Sequence, residues 1–117
     1  MIQRHERQGE GAHWDLMLES GDCLETYRVN KPPQEWGDKP MEAVKIVDHP
    51  LKFLTYEGVV NKGKGKVTIA DTGTYEVIDK TEDTRRIRFN GNVLKGEFEL
   101  WQREGTRREI RKIERRT

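Results

Sequence analysis

The residues in this sequence best equipped for chemistry are three histidines, His5, His13 and His49, and one carboxylate, Asp15. His13 and Asp15 stand two apart in the alternating run His13-Trp14-Asp15-Leu16-Met17-Leu18-Glu19. Residues two apart on a strand leave the same face, so an imidazole and a carboxylate can converge there on one cation. His5 lies one short connection upstream and is the expected third ligand. Two imidazoles and a carboxylate suit manganese, iron or zinc with positions left open for substrate and water, a catalytic rather than structural arrangement. A His or Asp on the solvent face of a strand also needs no functional explanation, so the pair alone does not decide the matter.

His49 sits in Asp48-His49-Pro50, and Pro50 disfavours helical geometry at the residue before it. The bend is expected to hold the ring at the end of a strand, with Asp48 orienting it. An imidazole there can donate to an oxyanion or protonate a leaving oxygen; a turn histidine contacting backbone is the plain alternative. Lys62-Gly63-Lys64-Gly65-Lys66 reads as a flexible loop with cationic tips able to track a phosphate backbone. It does not match the Gly-x-x-x-x-Gly-Lys-Ser/Thr phosphate loop, and a solvated hairpin turn fits it equally well.

The elements that must position these groups are short strands. In the run from His13 to Glu19, Trp14, Leu16 and Leu18 share one face and His13, Asp15 and Met17 the other. Ser20-Gly21-Asp22 is a turn signal, and Cys23 to Val29 should complete a hairpin. A Pro- and Gly-rich loop spans Asn30 to Pro40. Further strands are expected over Met41–Val47, Thr55–Val60, Lys66–Ala70, Thr74–Ile78, Arg85–Phe89 and, after the hairpin signal Asn90-Gly91-Asn92, over Val93–Gln102. Helix is plausible only around Pro40 to Val44 and in the C-terminal tail. Some eight strands without a long helix predict an all-β, mostly antiparallel fold, a small closed or partly open barrel.

With 117 residues the chain fits one domain, read as a β-barrel over 1–103 followed by a basic tail over 104–117. Only 32% of residues are hydrophobic and 37% are charged, yet the apolar ones fall in short alternating runs, which argues against disorder. The formal charge of +1 hides an asymmetry: from Arg103 onward seven Lys or Arg face three Glu. Such a tail, with Arg107 and Arg108 in it, suits a polyanionic partner or a solvated, salt-bridged segment. The single cysteine, Cys23, excludes an intrachain disulfide and a Cys-based zinc cluster and fits a reducing compartment. No apolar run approaches the roughly 20 residues of a membrane span, and no h-region follows Met1, so a cytoplasmic protein without membrane contact is expected.

Taken in order, His5, His13-Trp14-Asp15-Leu16-Met17-Leu18-Glu19, Val29-Asn30-Lys31-Pro32, Asp48-His49-Pro50-Leu51-Lys52-Phe53, Tyr56-Glu57-Gly58 and Asp71-Thr72-Gly73-Thr74-Tyr75 resemble the 3′-phosphoesterase domain of bacterial and archaeal DNA ligase D. The resemblance runs from His5 to about Arg103 and implies a stand-alone, divergent member. It also implies a β-barrel that trims 3′ ends with manganese, removing a terminal ribonucleoside and then the 3′-phosphate. It places the metal ligands on His5, His13 and Asp15, the phosphate-contacting histidine on His49, a lysine near the site on Lys31 and a motif acid on Glu19.

The departures fall on the phosphate half. Met17 stands where the family pattern has an arginine and Phe53 where it has a tyrosine; Met41 and Val47 replace an arginine and a glutamate, and the loop near Gly63 is shortened. One lost oxyanion donor commonly costs about 100-fold to 1000-fold in rate. Lys45, Lys52 and the lysine loop are the substitutes the sequence offers.

The leading expectation is therefore a divalent-metal phosphoesterase, with manganese first and zinc or cobalt as alternatives. It would act on 3′ ends of DNA or ribonucleotide-terminated primers. His49 and Lys31 would be catalytic, and Lys62, Lys64, Lys66, Arg107 and Arg108 would hold the strand; a DNA ligase or repair polymerase is the natural protein partner. The competing expectations are a nucleic-acid or partner-binding module that kept fold and metal site but lost turnover, and a hydrolase of small phosphorylated metabolites.

Overall fold

Alternation of apolar and polar residues shapes most of this chain. In the computed structural model, which describes residues 1–113, ten strands follow one another. They are β1 (Ile2–Arg7), β2 (Gly11–Ser20), β3 (Cys23–Val29), β4 (Met41–Pro50), β5 (Gly58–Val60), β6 (Gly65–Asp71), β7 (Gly73–Lys80), β8 (Thr84–Gly91), β9 (Lys95–Gln102) and β10 (Arg107–Ile113). They form one antiparallel sheet in the order β5-β6-β1-β2-β3-β4-β10-β9-β8-β7. Helical structure among the described residues is confined to 3-10 turns such as Leu51–Leu54, so the all-β expectation holds.

One face of this sheet closes over a single core. Leu16 and Leu18 of β2, Tyr27 and Val29 of β3, Ile87 and Phe89 of β8 and Phe98 and Leu100 of β9 belong to the same buried cluster. Strands from both halves of the order thus meet face to face, which requires the sheet to curl. Its outer strands, β5 and β7, do not pair with each other, so the barrel is partly open. Phe98 is 1% exposed and packs edge-on to Phe89 at 5.5 Å; truncating it to Ala would cost about 3–5 kcal/mol.

Four segments differ from the sequence reading. Ile2–Arg7 is a full strand, concealed because its second face carries Gln3 and His5 rather than apolar residues. Pro40 to Val44 is not helical, since Met41 begins β4. Strand replaces Thr55–Val60 only from Gly58 onward. The supposed basic tail is β10 over Arg107–Ile113, seated between β4 and β9. Its pattern was unreadable because Ile110 alone is fully buried there, while Arg107 and Arg111 face Glu42 and Glu99. The last four residues of that tail, 114–117, lie outside the described residues.

Candidate metal and phosphate site

The β1–β2 hairpin brings the first ligands together. His5 pairs directly with His13, and Gln3 with Asp15, while Ile2 and Leu16 pair on the alternate face and enter the core. His5, His13 and Asp15 therefore share the face opposite the core. Nδ1 of His5 lies 3.1 Å from Nε2 of His13, which is 3.6 Å from a carboxylate oxygen of Asp15. All three ligand atoms fall within 4.8 Å of one another.

This donor set fits a divalent cation. Ligands about 2.1 Å from one ion sit roughly 3.0–3.5 Å apart in octahedral or tetrahedral geometry; the 3.1 Å separation falls in that range and the 3.6 Å one just beyond it. Asp15 is 1% exposed and His5 7%. Burial, and then the neighbouring His13, hold the His5 imidazole below its usual pKa, which keeps its lone pair free near neutral pH. Nε2 of His5 is buried without a hydrogen-bond partner among the described residues, an uncompensated cost of the kind functional sites carry.

What backs the His5 ring is Gly65, a residue whose role sequence reading missed. Gly65 lies in β6, opposite Arg7 and two residues from Val67, the partner of His5. A Cβ at Gly65 would sit 2.8 Å from Nε2 of His5 and 3.1 Å from Val60. Gly63, two residues earlier, has a φ of +88 and serves a turn, whereas Gly65 has no such backbone need. The available signal was a glycine inside a strand pattern, which marks close approach of a neighbour.

His49 reaches the same face through a β-bulge. Leu24 pairs with His49 and Thr26 with Ile46, two steps on β3 against three on β4. Strict alternation would send Ile46 and His49 to opposite faces; the extra residue around Val47 and Asp48 returns His49 to the side of the triad. Val47 is pushed outward and is 79% exposed. Nδ1 of His49 donates to the Val47 carbonyl at 2.9 Å, which leaves Nε2 for a ligand. Asp48 does not orient the ring as expected. It accepts from Lys45 at 3.0 Å and from Cys23, and the Lys45 hydrogen bond holds its carboxyl below the usual range.

The strand order explains the roof. Between β4 and β5 the chain must pass β3, β2, β1 and β6, and Phe53 of this crossing lines a cavity of about 270 Å³ with His5, Asp15, Arg28, His49 and Val60. Phe53 stands edge-on to His49 at 5.5 Å and to Tyr56 at 5.9 Å. Met17 faces the same way as Asp15 but is 1% exposed and does not line the cavity.

Of the other residues expected here, Lys31 is not brought in: the chain leaves the sheet at Val29 and turns through Pro32 and Pro33, leaving Lys31 exposed and outside the cavity lining. Lys64 and Lys66 line a neighbouring groove with Arg4, Glu6 and Arg7, while Lys62 stands exposed at the turn with a φ of +56. Arg107 lies two strands from Arg28 in one cross-strand row, Asp15, Arg28, Val44, Arg107, and so shares the site face. Arg108 points to the other face, where it lines a separate polar cavity with Tyr27 and Arg85. Arg28 was missed altogether, although Leu24-Glu25-Thr26-Tyr27-Arg28-Val29 alternates and sets it opposite Val29 in facing.

The chain is also similar to known proteins. The chain is 29% identical over 114 residues to the multifunctional non-homologous end joining protein LigD of Mycobacterium bovis, covering 92% of this chain. It is 29% identical over 119 residues to LigD of Mycolicibacterium smegmatis, covering 90%, and 30% identical over 81 residues to LigD of Pseudomonas aeruginosa, covering 67%. It spans about 15% of the length of the two mycobacterial relatives and 9% of the Pseudomonas one. Residues 3–102 match the family model described as the DNA ligase D 3′-phosphoesterase domain. By that match over most of its length, this chain belongs to the DNA ligase D 3′-phosphoesterase domain family.

Proposed function

We propose that this domain is a divalent-metal-dependent phosphoesterase acting on 3′ ends of DNA or of ribonucleotide-terminated primers in DNA repair. The observation that carries the reading is the grouping of His5, His13 and Asp15, two of which, His5 and Asp15, line one cavity together with His49, in a chain of this family. His5, His13 and Asp15 would hold the ion, manganese before zinc or cobalt; when bound, it supplies Lewis-acid polarisation of the phosphoryl group and an activated water. His49, its Nδ1 proton committed to the Val47 carbonyl, would donate from Nε2 to a phosphate oxygen or protonate the leaving oxygen when the ring carries both protons. Phe53 and the chain crossing above it restrict water around that ring. Lys64, Lys66 and Arg107 would hold the strand through its phosphates, without sequence preference.

A second reading, a binding module that retained the metal site without turnover, is favoured by the sealed, apolar Met17 and by Phe53, which has no hydroxyl to offer. Incubating the protein with 5′-labelled primers ending in one ribonucleotide or a 3′-phosphate, with and without manganese and beside His13→Ala, separates the two. Manganese-dependent shortening or dephosphorylation that His13→Ala loses establishes the enzyme. Metal and DNA binding without conversion establishes the module.

A further inference from the structure

With position 17 apolar and buried, the cavity needs another group to grip a phosphate, and it contains one. Arg28 pairs directly with Asp15 across β2 and β3, and its Nε lies 3.4 Å from an Asp15 carboxylate oxygen. That contact tethers the guanidinium by one nitrogen. The two Nη groups have no partner among the described residues, and the side chain is 30% exposed while lining the cavity with His5, Asp15 and His49. A planar fork held at one corner with two free donors is pre-organised for two oxygens of one phosphate.

The alternatives are committed elsewhere. Lys45 donates to the Ile46 carbonyl and to Asp48 and stands over the Tyr27 ring on the other face. Lys52 sits over the Phe53 ring and is not part of the lining. Arg7, the other cation in the lining, pairs with Glu10 and lies two residues beyond His5.

We infer that Arg28 is the phosphate-gripping residue of this site, a specificity determinant for a terminal 3′-phosphate that has moved one strand over from position 17. Met17 pairs with Thr26, the next site-facing residue on β3, so a single step along the same two strands separates the two positions. Arg28 also neutralises one oxygen of Asp15, leaving the other toward His13. This inference rests on the phosphoesterase reading above and names the group that recognises its substrate.

The test is binding by fluorescence anisotropy, in manganese, of two DNA strands. One ends in a 3′-hydroxyl and the other in a 3′-methylenephosphonate, a phosphate mimic whose bridging carbon blocks hydrolysis. The unaltered protein is expected to prefer the phosphonate end by about tenfold or more. Arg28→Ala should cancel that preference without changing affinity for the hydroxyl end, and Arg28→Lys should restore only part of it, because an ammonium lacks the fork. Each variant is compared at a manganese concentration that saturates it, because removing a partner of Asp15 can itself weaken metal binding by about 10-fold to 100-fold. Arg28→Ala with its preference intact overturns the inference and leaves the phosphoesterase reading standing. A preference that returns in Arg28→Ala once manganese is saturating makes Arg28 a positioning group for Asp15 and also overturns it. No preference in the unaltered protein, together with no manganese-dependent conversion of primers, overturns both.

Discussion

The same face of the same sheet carries two sets of charged residues that behave in opposite ways. Following the paired rows from β3 through β4 to β10 and on to β9 and β8, the face that holds Asp15 and Arg28 continues into Arg111, Glu99 and Arg86. At that far end charges alternate across the strands: Glu99 lies 3.4 Å from Arg86 and 3.3 Å from Arg111, and Arg88 faces Glu76 and Glu97. Trp101 is sandwiched between Arg103 and Arg111, 4.9 and 4.7 Å from its ring centre. At the near end, two imidazoles and a carboxylate crowd together with one arginine, and the buried Nε2 of His5 has no partner among the described residues. The far end pairs its charges with one another and serves the fold, although Nε of Arg86 and of Arg111 is buried without a partner among the described residues. Only the near end is arranged to gain from a cation and an anion that the chain itself does not supply.

That contrast breaks most sharply at Asp15. Asp15→Asn keeps the side chain's shape but removes the only carboxylate of the triad, and it should lower manganese affinity by about 10-fold to 100-fold or more. Manganese titration by electron paramagnetic resonance reads it directly. Unchanged affinity would mean that the near end is one more structural ion pair, like the far end.

A subtler lesion sharpens the same point without touching a ligand. Gly65→Ala places a methyl 2.8 Å from Nε2 of His5, closer than a Cβ is tolerated, so the ring must shift. A misplaced ligand should weaken manganese binding by about tenfold while the strand register of β6, and hence far-ultraviolet circular dichroism, is kept. Gly63→Ala, altered at a turn with a φ of +88, should instead cost stability by about 1 kcal/mol and leave manganese affinity alone.

At the far end the effect should appear in stability rather than binding. Glu99 is 16% exposed and serves two arginines whose Nε atoms are buried without partners among the described residues, so Glu99→Gln should cost about 1–2 kcal/mol in chemical denaturation. Manganese affinity should not move, because β9 is separated from β3 by two strands.

These two ends were not equally legible in the sequence. His13 and Asp15 could be read because a two-residue spacing on a strand fixes a shared face whatever the tertiary structure, and His49 because Pro50 marks a strand end. Arg28 and Gly65 could not be, since their roles come from pairings between strands: β3 against β2, β6 against β1. β1 and β10 hid for a related reason. A strand whose second face is a polar site or an ion-pair ladder loses the apolar alternation that identifies strands, so Gln3-Arg4-His5 and Arg107-Arg108-Glu109 read as connection and tail. The lysines of residues 62–66 drew attention by charge, while the glycine between two of them carried the structural role. Asp48 looked like the natural partner for His49, but the bulge offers the Val47 carbonyl instead, and a bulge cannot be seen until both strands are paired.

The smallest effect expected is a pH dependence confined to the near end. Burial and the adjacent His13 lower the His5 pKa in the folded protein, whereas in the unfolded chain the imidazole titrates near 6.5. Below that value, and until the folded pKa is reached, the unfolded chain binds more protons than the native one, so stability rises with pH across this window and falls on acidification. Above about 6.5 both states are neutral at His5 and the contribution vanishes. The metal-free protein should therefore show a lower denaturation midpoint at mildly acidic than at neutral pH, by less than the Glu99→Gln effect, and His5→Gln should flatten part of that slope. The far end, which holds no histidine, should add nothing to it. Manganese should raise the midpoint at neutral pH and do so progressively less as the pH falls, a loss that titration of the midpoint against manganese at several pH values would measure.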